Sequence, residues 1–231
     1  MKSMEAALAA LRRHLKTKDL PLHDAIHECG ISPEREDYPV ELVRGGLNMQ
    51  QEPLQLVRFL RLLNSEKVKS IVEIGICDGG DIIVVIEYLA SLGRDVMVWA
   101  IDPAPRPSFY RYVNACDPGS FWGVKVDIKV FPFNSSQWPF GLEKIPHFDL
   151  GIVDGNPTIA SRTEDMKNIS KVCTIMAVHD LAQLWECRAA WDANAMELGT
   201  NHLLIMDQQP SVETTRHPIC GYGILWTKNK L

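Results

Sequence analysis

The stretch VEIGICDGGD, residues 72–81, decides the fold of this chain. A strand-like apolar run ends at Gly75, the chain turns on Gly79 and Gly80, and the apolar segment IIVVIEYLASLG follows. A glycine turn between a strand and a helix lets the backbone approach a ligand closely, and open α/β sheets bind ligands at this end of their strands. The stretch therefore predicts a loop that holds a nucleotide-like ligand.

From Lys69 onward, apolar runs of strand length alternate with segments of helix length, which predicts a parallel sheet with helices on both faces. The polar segment DQQPSVETTRHPICG, which precedes the last run, has no apolar helical period, so we expect an antiparallel hairpin there. The prediction is a seven-stranded, mostly parallel sheet with an antiparallel last strand. Its strands are SIVEI, VMVWAI, VKVDIKVF, FDLGIV, CTIMAV, HLLIM and YGILW.

The N-terminal part differs from this rhythm. Met4, Leu8, Leu11 and Leu15 recur at helical spacing, which predicts an amphipathic helix, and a polar, proline-containing stretch follows it. We expect residues 1–50 to form a helical and irregular lid over a main domain at 51–231. The amphipathic helix could also pair with a second copy of the chain, which would make a homo-oligomer.

The composition limits the partners and the compartment. The formal net charge is −5 and no run of lysines or arginines occurs, so we do not expect a nucleic-acid partner. No apolar run approaches the roughly 20 residues that span a bilayer, so no membrane partner is expected. The six cysteines form no C-x-x-C pair and no secretory leader is evident, which favours a reducing cytoplasm.

The loop itself argues against a phosphate ligand. The dinucleotide fingerprint needs a glycine where Cys77 stands, and Asp78 and Asp81 would set negative charge beside a phosphate. No Gly-Lys-Ser/Thr follows, which excludes a P-loop. A nucleoside with a positive charge fits better, since Glu73 could attract a cation and Asp102, at the end of the next strand, could accept both ribose hydroxyls. S-adenosylmethionine has these features.

The sequence resembles the class I S-adenosylmethionine-dependent methyltransferases, and within them the small-molecule O-methyltransferases of sugars and natural products. The first motif of that family, E-x-G-x-x-x-G-G-[ST], matches residues 73–81, with Asp81 in the place of the hydroxyl residue. The other motifs follow in order at predicted strand ends: WAIDP with Asp102, FPFNSSQ with Asn134 to Ser136, FDLGIVDG with Asp154, and the pair His179-Asp180. The resemblance implies a Rossmann-like class I methyltransferase fold.

What the resemblance implies for the site can be stated by residue. The expected cofactor contacts are Gln50, Glu73, Gly75, Ile76, Gly79, Asp81, Asp102, Pro103, Asn134, Ser135 and Asp154. Two departures from the family stand out: the acid that usually contacts the adenine amine is Ser135 here, and no proline-glycine-glycine turn precedes the fifth strand.

Catalysis is expected at His179 and Asp154. Methyl transfer from a sulfonium is a direct displacement, so the protein aligns the reactants and helps the acceptor lose its proton. The resemblance also allows Mg²⁺ or another divalent cation as a second cofactor, held by Asp154 and Asp180. Each residue also has a structural interpretation: Asp154-Gly155 as an ordinary turn, His179 as a core histidine, and Asp180 as a helix cap.

The expected function is O-methylation of a small-molecule acceptor, a sugar or a secondary metabolite. Two alternatives remain open: another natural-product reaction on the same fold, such as hydroxylation, and a methyltransferase-like module that binds without catalysis. The loops that choose the acceptor are located by the sequence, but the acceptor is not identified.

Overall fold

The computed structural model describes residues 3–18, 21–28, 47, 49, 51–137, 144–182, 184–205 and 221–228. Seven strands form one sheet in the order β3-β2-β1-β4-β5-β7-β6. The strands are β1 (Ser70–Ile74), β2 (Val96–Ile101), β3 (Val126–Phe131), β4 (Phe148–Val153), β5 (Cys173–Val178), β6 (Gly199–Ile205) and β7 (Tyr222–Thr227).

The strand directions confirm the predicted fold. The pairs β3-β2, β2-β1, β1-β4 and β4-β5 are parallel, whereas β7 runs antiparallel between β5 and β6. The chain order moves outward from β1 on one side and from β4 on the other. This reversal creates a crevice beyond the carboxyl ends of β1 and β4, which is where open α/β sheets bind ligands.

The observed strand boundaries agree with the predicted ones where the strands are buried. The four central strands β1, β2, β4 and β5 lie where their apolar runs predict them. The edge strand β6 instead begins at Gly199, ahead of the predicted HLLIM, and most of its residues are exposed. Because an exposed edge strand needs no apolar face, its polar beginning gives no signal in the sequence.

Eight helices are described: α1 (Met4–Thr17), α2 (Leu22–Glu28), α3 (Pro53–Ser65), α4 (Gly80–Ser91), α5 (Pro107–Ala115), α6 (Pro118–Trp122), α7 (Ile159–Ile169) and α8 (Trp185–Leu198). Side chains of Ser3, Glu52 and Thr158 accept hydrogen bonds from the first turns of α1, α3 and α7. Within the described ranges, none of these helices combines the length and apolar character that a membrane span requires.

Alternating residues of each strand enter two separate cores. Ile71 and Val98 belong to a buried cluster that includes side chains of α1 to α5, with Trp122 of α6 packed against it. Val72 and Trp99, their neighbours in sequence, belong to a second cluster with α7 and α8. The period of two along each strand therefore places helices on both faces of the sheet, as predicted.

The apolar face of α1 is used within its own chain. Leu8 and Leu11 are buried in the cluster that holds α3 and α4. A homo-oligomer through this helix, and the division at residue 50, stay predictions.

In α3, Gln55 is fully buried and accepts a hydrogen bond from the backbone of Gly221 at 2.8 Å. This polar side chain therefore links α3 to the start of β7 inside the protein.

A buried carboxylate ties the N-terminal helix to the sheet. Glu87 of α4 is fully buried and accepts hydrogen bonds from Arg12 at 2.8 and 2.9 Å, from the Tyr112 hydroxyl at 2.9 Å and from the Trp122 indole at 2.7 Å. Four helices thus meet at one side chain. A buried charge of this kind is stable only while its partners remain.

We expect Glu87→Gln to lower the free energy of unfolding by about 2–4 kcal/mol, because an amide offers one acceptor oxygen and leaves Arg12 without a carboxylate. Urea unfolding measures the change. The matched control is Glu66→Gln at an exposed position, which should stay within about 0.5 kcal/mol of the parent. A loss at Glu87 no larger than at Glu66 would show that the network contributes nothing to stability.

Candidate functional site

One cavity of about 620 Å³ lies at the crevice between β1 and β4. Its edge is fixed by hydrogen bonds that continue the sheet: the Gly75 amide donates to the Ile101 carbonyl at 2.9 Å, and the Asp154 amide to the Ile74 carbonyl at 2.8 Å. Every predicted site residue within the described ranges lines this cavity: Glu73, Gly75, Ile76, Gly79, Asp81, Asp102, Pro103, Asn134, Ser135, Asp154, His179 and Asp180. Gln50 lies outside the described residues.

Two glycines in the first loop are required by close contacts. Gly75 has φ +90°, and a Cβ there would lie 2.2 Å from the carbonyl oxygen of Asp154. Gly79 has φ +78°, and its Cβ would lie 2.3 Å from the ring of Phe109. Larger residues would push the loop away from β4 or from α5, so these glycines let the loop close on the cavity.

The carboxylate at the end of β2 is held by two backbone amides. Asp102 Oδ2 accepts from the amide of Cys77 at 2.9 Å, and Oδ1 accepts from the amide of Ala104 at 2.7 Å. Each carboxylate oxygen can accept more than one hydrogen bond. The side chain is therefore fixed in orientation and still able to receive hydroxyl donors.

Acidic side chains flank the loop after β1, with Glu73 before it and Asp81 after it. Burial raises the pKa of Glu73 well above its usual range, and the nearby charges of Asp154 and Asp81 raise it further. Burial also raises the pKa of Asp81 to about 6. Gln51 donates to Asp81 Oδ2 at 2.9 Å. Within the described part of the chain, three buried oxygens there lack a partner: Glu73 Oε2, Asp81 Oδ1 and Gln51 Oε1. Such a set of acceptors suits an ammonium group.

A histidine joins the acids at the ends of β4 and β5. His179 Nδ1 lies 3.1 Å from Asp154 Oδ1 and 3.2 Å from Asp180 Oδ1. Because an ionised carboxylate only accepts, a neutral His179 ring would carry its proton on Nδ1 and would leave Nε2, which contacts the Gln51 amide, as the proton acceptor. Asp180 has φ +64°, a conformation that side-chain-bearing residues rarely adopt and that occurs preferentially at functional sites.

The central residue of this group was missed from the sequence. Arg162 of α7 is 1% exposed, and its guanidinium lies 3.4 Å from Asp154 Oδ1 and 3.7 Å from Asp180 Oδ2. It also donates to the Val153 carbonyl. Burial alone would raise the pKa of Asp154, but His179 and Arg162 hold it below its ordinary value. Burial raises the pKa of Asp180.

A signal for Arg162 exists in the pattern of α7. The buried positions of that helix are Arg162, Asp165, Met166 and Ile169, which follow the spacing of an inward face. Two charged residues on that face cannot be solvated by water and must pair inside the protein. The helical period of IASRTEDMKNI thus marked them, although no family motif includes them.

The departure from the family at Ser135, in the FPFNSSQ motif, has a structural counterpart in α7. Ser135, which stands where an acid contacts adenine in the family, lies near the carboxylate of Asp165 and favours its ionised form. Asp165 is buried, and its Oδ2 has no partner within the described ranges. Burial raises the pKa of Asp165 to about 6. A carboxylate thus lies directly behind the serine, supplied by α7.

A metal at Asp154, His179 and Asp180 can be judged by the type of donor atoms and by the charge of the site, and the two disagree. By donor type it fits, since one ligand atom each from Asp154, His179 and Asp180 lie within 4.8 Å of one another. By charge it does not, because both carboxylates already face the guanidinium of Arg162. The metal at Asp154 and Asp180 therefore stays a prediction.

Solved structures of methyltransferases share this fold. TomG from Streptomyces achromogenes, an O-methyltransferase involved in tomaymycin synthesis and solved with S-adenosylmethionine, has a TM-score of 0.54 and 18% identity, covering 96% of this chain and 89% of that chain. An O-methyltransferase from Bacillus cereus, solved with S-adenosylhomocysteine, has a TM-score of 0.53 and 13% identity, covering 96% and 90%. An rRNA methylase from Streptococcus thermophilus has a TM-score of 0.50 and 12% identity, covering 78% and 99%.

These similarities confirm the fold predicted from the sequence motifs, that of the class I S-adenosylmethionine-dependent methyltransferases. At such identities they show the fold alone. No protein-family model matches the chain, and no curated protein sequence matches it.

The buried acid Asp81 should make stability depend on pH. Its pKa rises from 3.8 to about 6 on folding, so the folded chain binds its proton more tightly and loses stability as the pH rises through this window. We expect Asp81→Asn to raise the free energy of unfolding at about pH 7.5 and to change it little at about pH 4. Urea unfolding at both pH values measures this. The control Glu164→Gln, at an exposed site, should show no such difference; equal effects of Asp81→Asn at both pH values would contradict the prediction.

Proposed function

We propose that this protein transfers the methyl group of S-adenosylmethionine to an oxygen of a small molecule, a sugar or a secondary metabolite. The observation that carries the proposal is the His179–Asp154 pair, with 3.1 Å between Nδ1 and Oδ1, on the same cavity as the buried acids and Asp102. A base, acceptors for an ammonium group and an acceptor for ribose hydroxyls thus face one space.

The cofactor fits the polar groups that lack partners. In the proposal, Glu73 and Asp81 receive the ammonium group, whose three donors match the partnerless oxygens of Glu73, Asp81 and Gln51. Asp102 receives the ribose hydroxyls, and Gly75 and Gly79 let the loop backbone approach. The adenine side is lined by Ile76, Pro103, Asn134 and Ser135. Gln50 stays a proposed contact outside the described residues.

The proposed chemistry needs a base more than it needs an acid. Bound S-adenosylmethionine would supply an electrophilic methyl carbon, with sulfur as the leaving group that keeps the bonding electron pair. His179 Nε2 would exchange its contact with the Gln51 amide for the acceptor hydroxyl and take the proton of that hydroxyl. Asp154 holds the opposite ring nitrogen, which fixes the tautomer and stabilises the imidazolium that forms.

The charge of the cavity favours a small neutral acceptor over RNA. Among the described residues that line it, the acids are Glu73, Asp78, Asp81, Asp102, Asp154 and Asp180, whereas Arg106 is the arginine. A polyanion would meet repulsion there, since nucleic-acid binding depends on lysine and arginine near the phosphates. One similar structure is an rRNA methylase, and this charge pattern is the reason for proposing a different acceptor class here.

The N-terminal segment has a proposed role as a lid. Met49 lines the cavity, and Gln51 contacts both Asp81 and His179. We propose that the segment 1–50 covers the bound acceptor and excludes water. Exclusion of water strengthens the electrostatic interactions that align the reactants.

Cofactor binding is tested by calorimetry with S-adenosylhomocysteine. We expect one site per chain in the intact protein and a loss of affinity of about 100-fold in Asp102→Ala, because hydrogen bonds between charged carboxylate and hydroxyls are lost. Asp192→Ala, at a site 57% exposed on α8, should bind as the parent does. Undetectable binding in the parent protein would exclude the cofactor and with it the proposed reaction.

Catalysis is tested by separating binding from turnover. His179→Gln should bind S-adenosylhomocysteine with nearly unchanged affinity and lose turnover by about 10²-fold or more, the usual contribution of a general base. A panel of sugars and phenols with labelled S-adenosylmethionine measures the rate, and His147→Gln is the matched control. Binding without consumption of the cofactor across the panel would favour the binding module, and an oxidised product without methyl transfer would favour hydroxylation.

A further inference from the structure

The buried arginine at the catalytic end of the cavity has a fixed position. Arg162 begins the second turn of α7, whose first turn is capped by Thr158. One terminal nitrogen donates to the carbonyl of Val153, and the other lies between the carboxylates of Asp154 and Asp180. Guanidinium groups stay protonated in proteins, so this residue is a permanent positive charge.

Three of the four carboxylate oxygens that a metal would use here already face nitrogens of His179 or Arg162. Asp154 Oδ1 lies 3.1 Å from His179 Nδ1 and 3.4 Å from Arg162. Asp180 faces His179 with Oδ1 at 3.2 Å and Arg162 with Oδ2 at 3.7 Å. A magnesium ion requires oxygens at roughly 2.0–2.1 Å in octahedral geometry. The residue after Asp180 is the buried Leu181, whose side chain adds no oxygen.

Electrostatics also oppose a second cation at this place. A divalent ion between the two carboxylates would stand a few ångströms from the guanidinium. Two positive charges at such a distance repel each other, and this repulsion opposes metal binding between the carboxylates. Two carboxylates balanced by one guanidinium leave a small net negative charge, which the imidazolium formed during catalysis would neutralise.

We propose that Arg162 is the built-in cation of this site and takes the place that a divalent metal would otherwise occupy between Asp154 and Asp180. Its role is positioning: it acts through Asp154 on the orientation of His179 and does not contact the reactants. The catalytic meaning rests on the proposed methyl transfer, whereas the claim about the cation can be tested without any turnover.

The test is a titration of chelator-treated protein with Mn²⁺, followed by the electron paramagnetic resonance signal of the free ion. The wild-type protein should bind no stoichiometric Mn²⁺ up to about 1 mM, since its counter-charge is already present. Arg162→Gln should gain one site with at least tenfold higher affinity, and Arg162→Gln combined with Asp180→Asn should lose it again. Arg188→Gln, an exposed arginine on α8 that pairs with Asp192, is the control and should resemble wild type.

The outcomes separate cleanly. One equivalent of Mn²⁺ bound by the wild type and lost in Asp180→Asn would overturn the proposal, as would failure of a folded Arg162→Gln to bind the ion. If circular dichroism shows that Arg162→Gln does not fold, Arg162→Lys keeps the charge and should bind no Mn²⁺, and binding by it would again contradict the proposal. Calorimetry with S-adenosylhomocysteine on the same samples reports on the proposed function independently.

Discussion

The site depends on the close approach of β1 and β4 at their carboxyl ends. The Asp154 amide donates to the Ile74 carbonyl at 2.8 Å, and Gly75 passes so near that a side chain would overlap the Asp154 carbonyl. This contact sets the loop after β1 against the acid after β4. Residues 80 positions apart in sequence, one group proposed for the cofactor and one for the base, therefore share one cavity because the strand order reverses between β1 and β4.

The same arrangement stores unfavourable free energy in the folded chain. Glu73 and Asp81 are carboxyl groups held by burial in a state that resists ionisation, and oxygens in both lack partners among the described residues. A protein of marginal stability tolerates such groups where a ligand later satisfies them. The cost is offset elsewhere, for example where Glu87 receives hydrogen bonds from Arg12, Tyr112 and Trp122.

The sequence was most informative where one residue type has one physical meaning. The central strands, the glycines of the first loop and the acids at strand ends were predictable, because buried parallel strands are apolar and ligands lie at their ends. The edge strand β6 was less predictable since an exposed edge carries no apolar signal. Arg162 and Asp165 were missed because a charged residue on a helix is usually solvated. The helical period of α7 places both on its inward face, and the contacts with Asp154 and Ser135 then identify what each one pairs with. The partners of such buried charges can be identified only from the folded structure.

Gln51 adds a link between cofactor and base that no strand provides. Its amide donates to Asp81 at 2.9 Å and also contacts His179, so one side chain lies between the acids at the ammonium end and the proton acceptor. Gln51 directly precedes the capping residue of α3, and its position is therefore coupled to that helix. An ammonium group that draws Asp81 toward itself would alter the hydrogen bond of Gln51 and, through it, the surroundings of His179 Nε2. In the proposed reaction, cofactor binding and the readiness of the base would thus be connected by one neutral side chain that can donate to both groups.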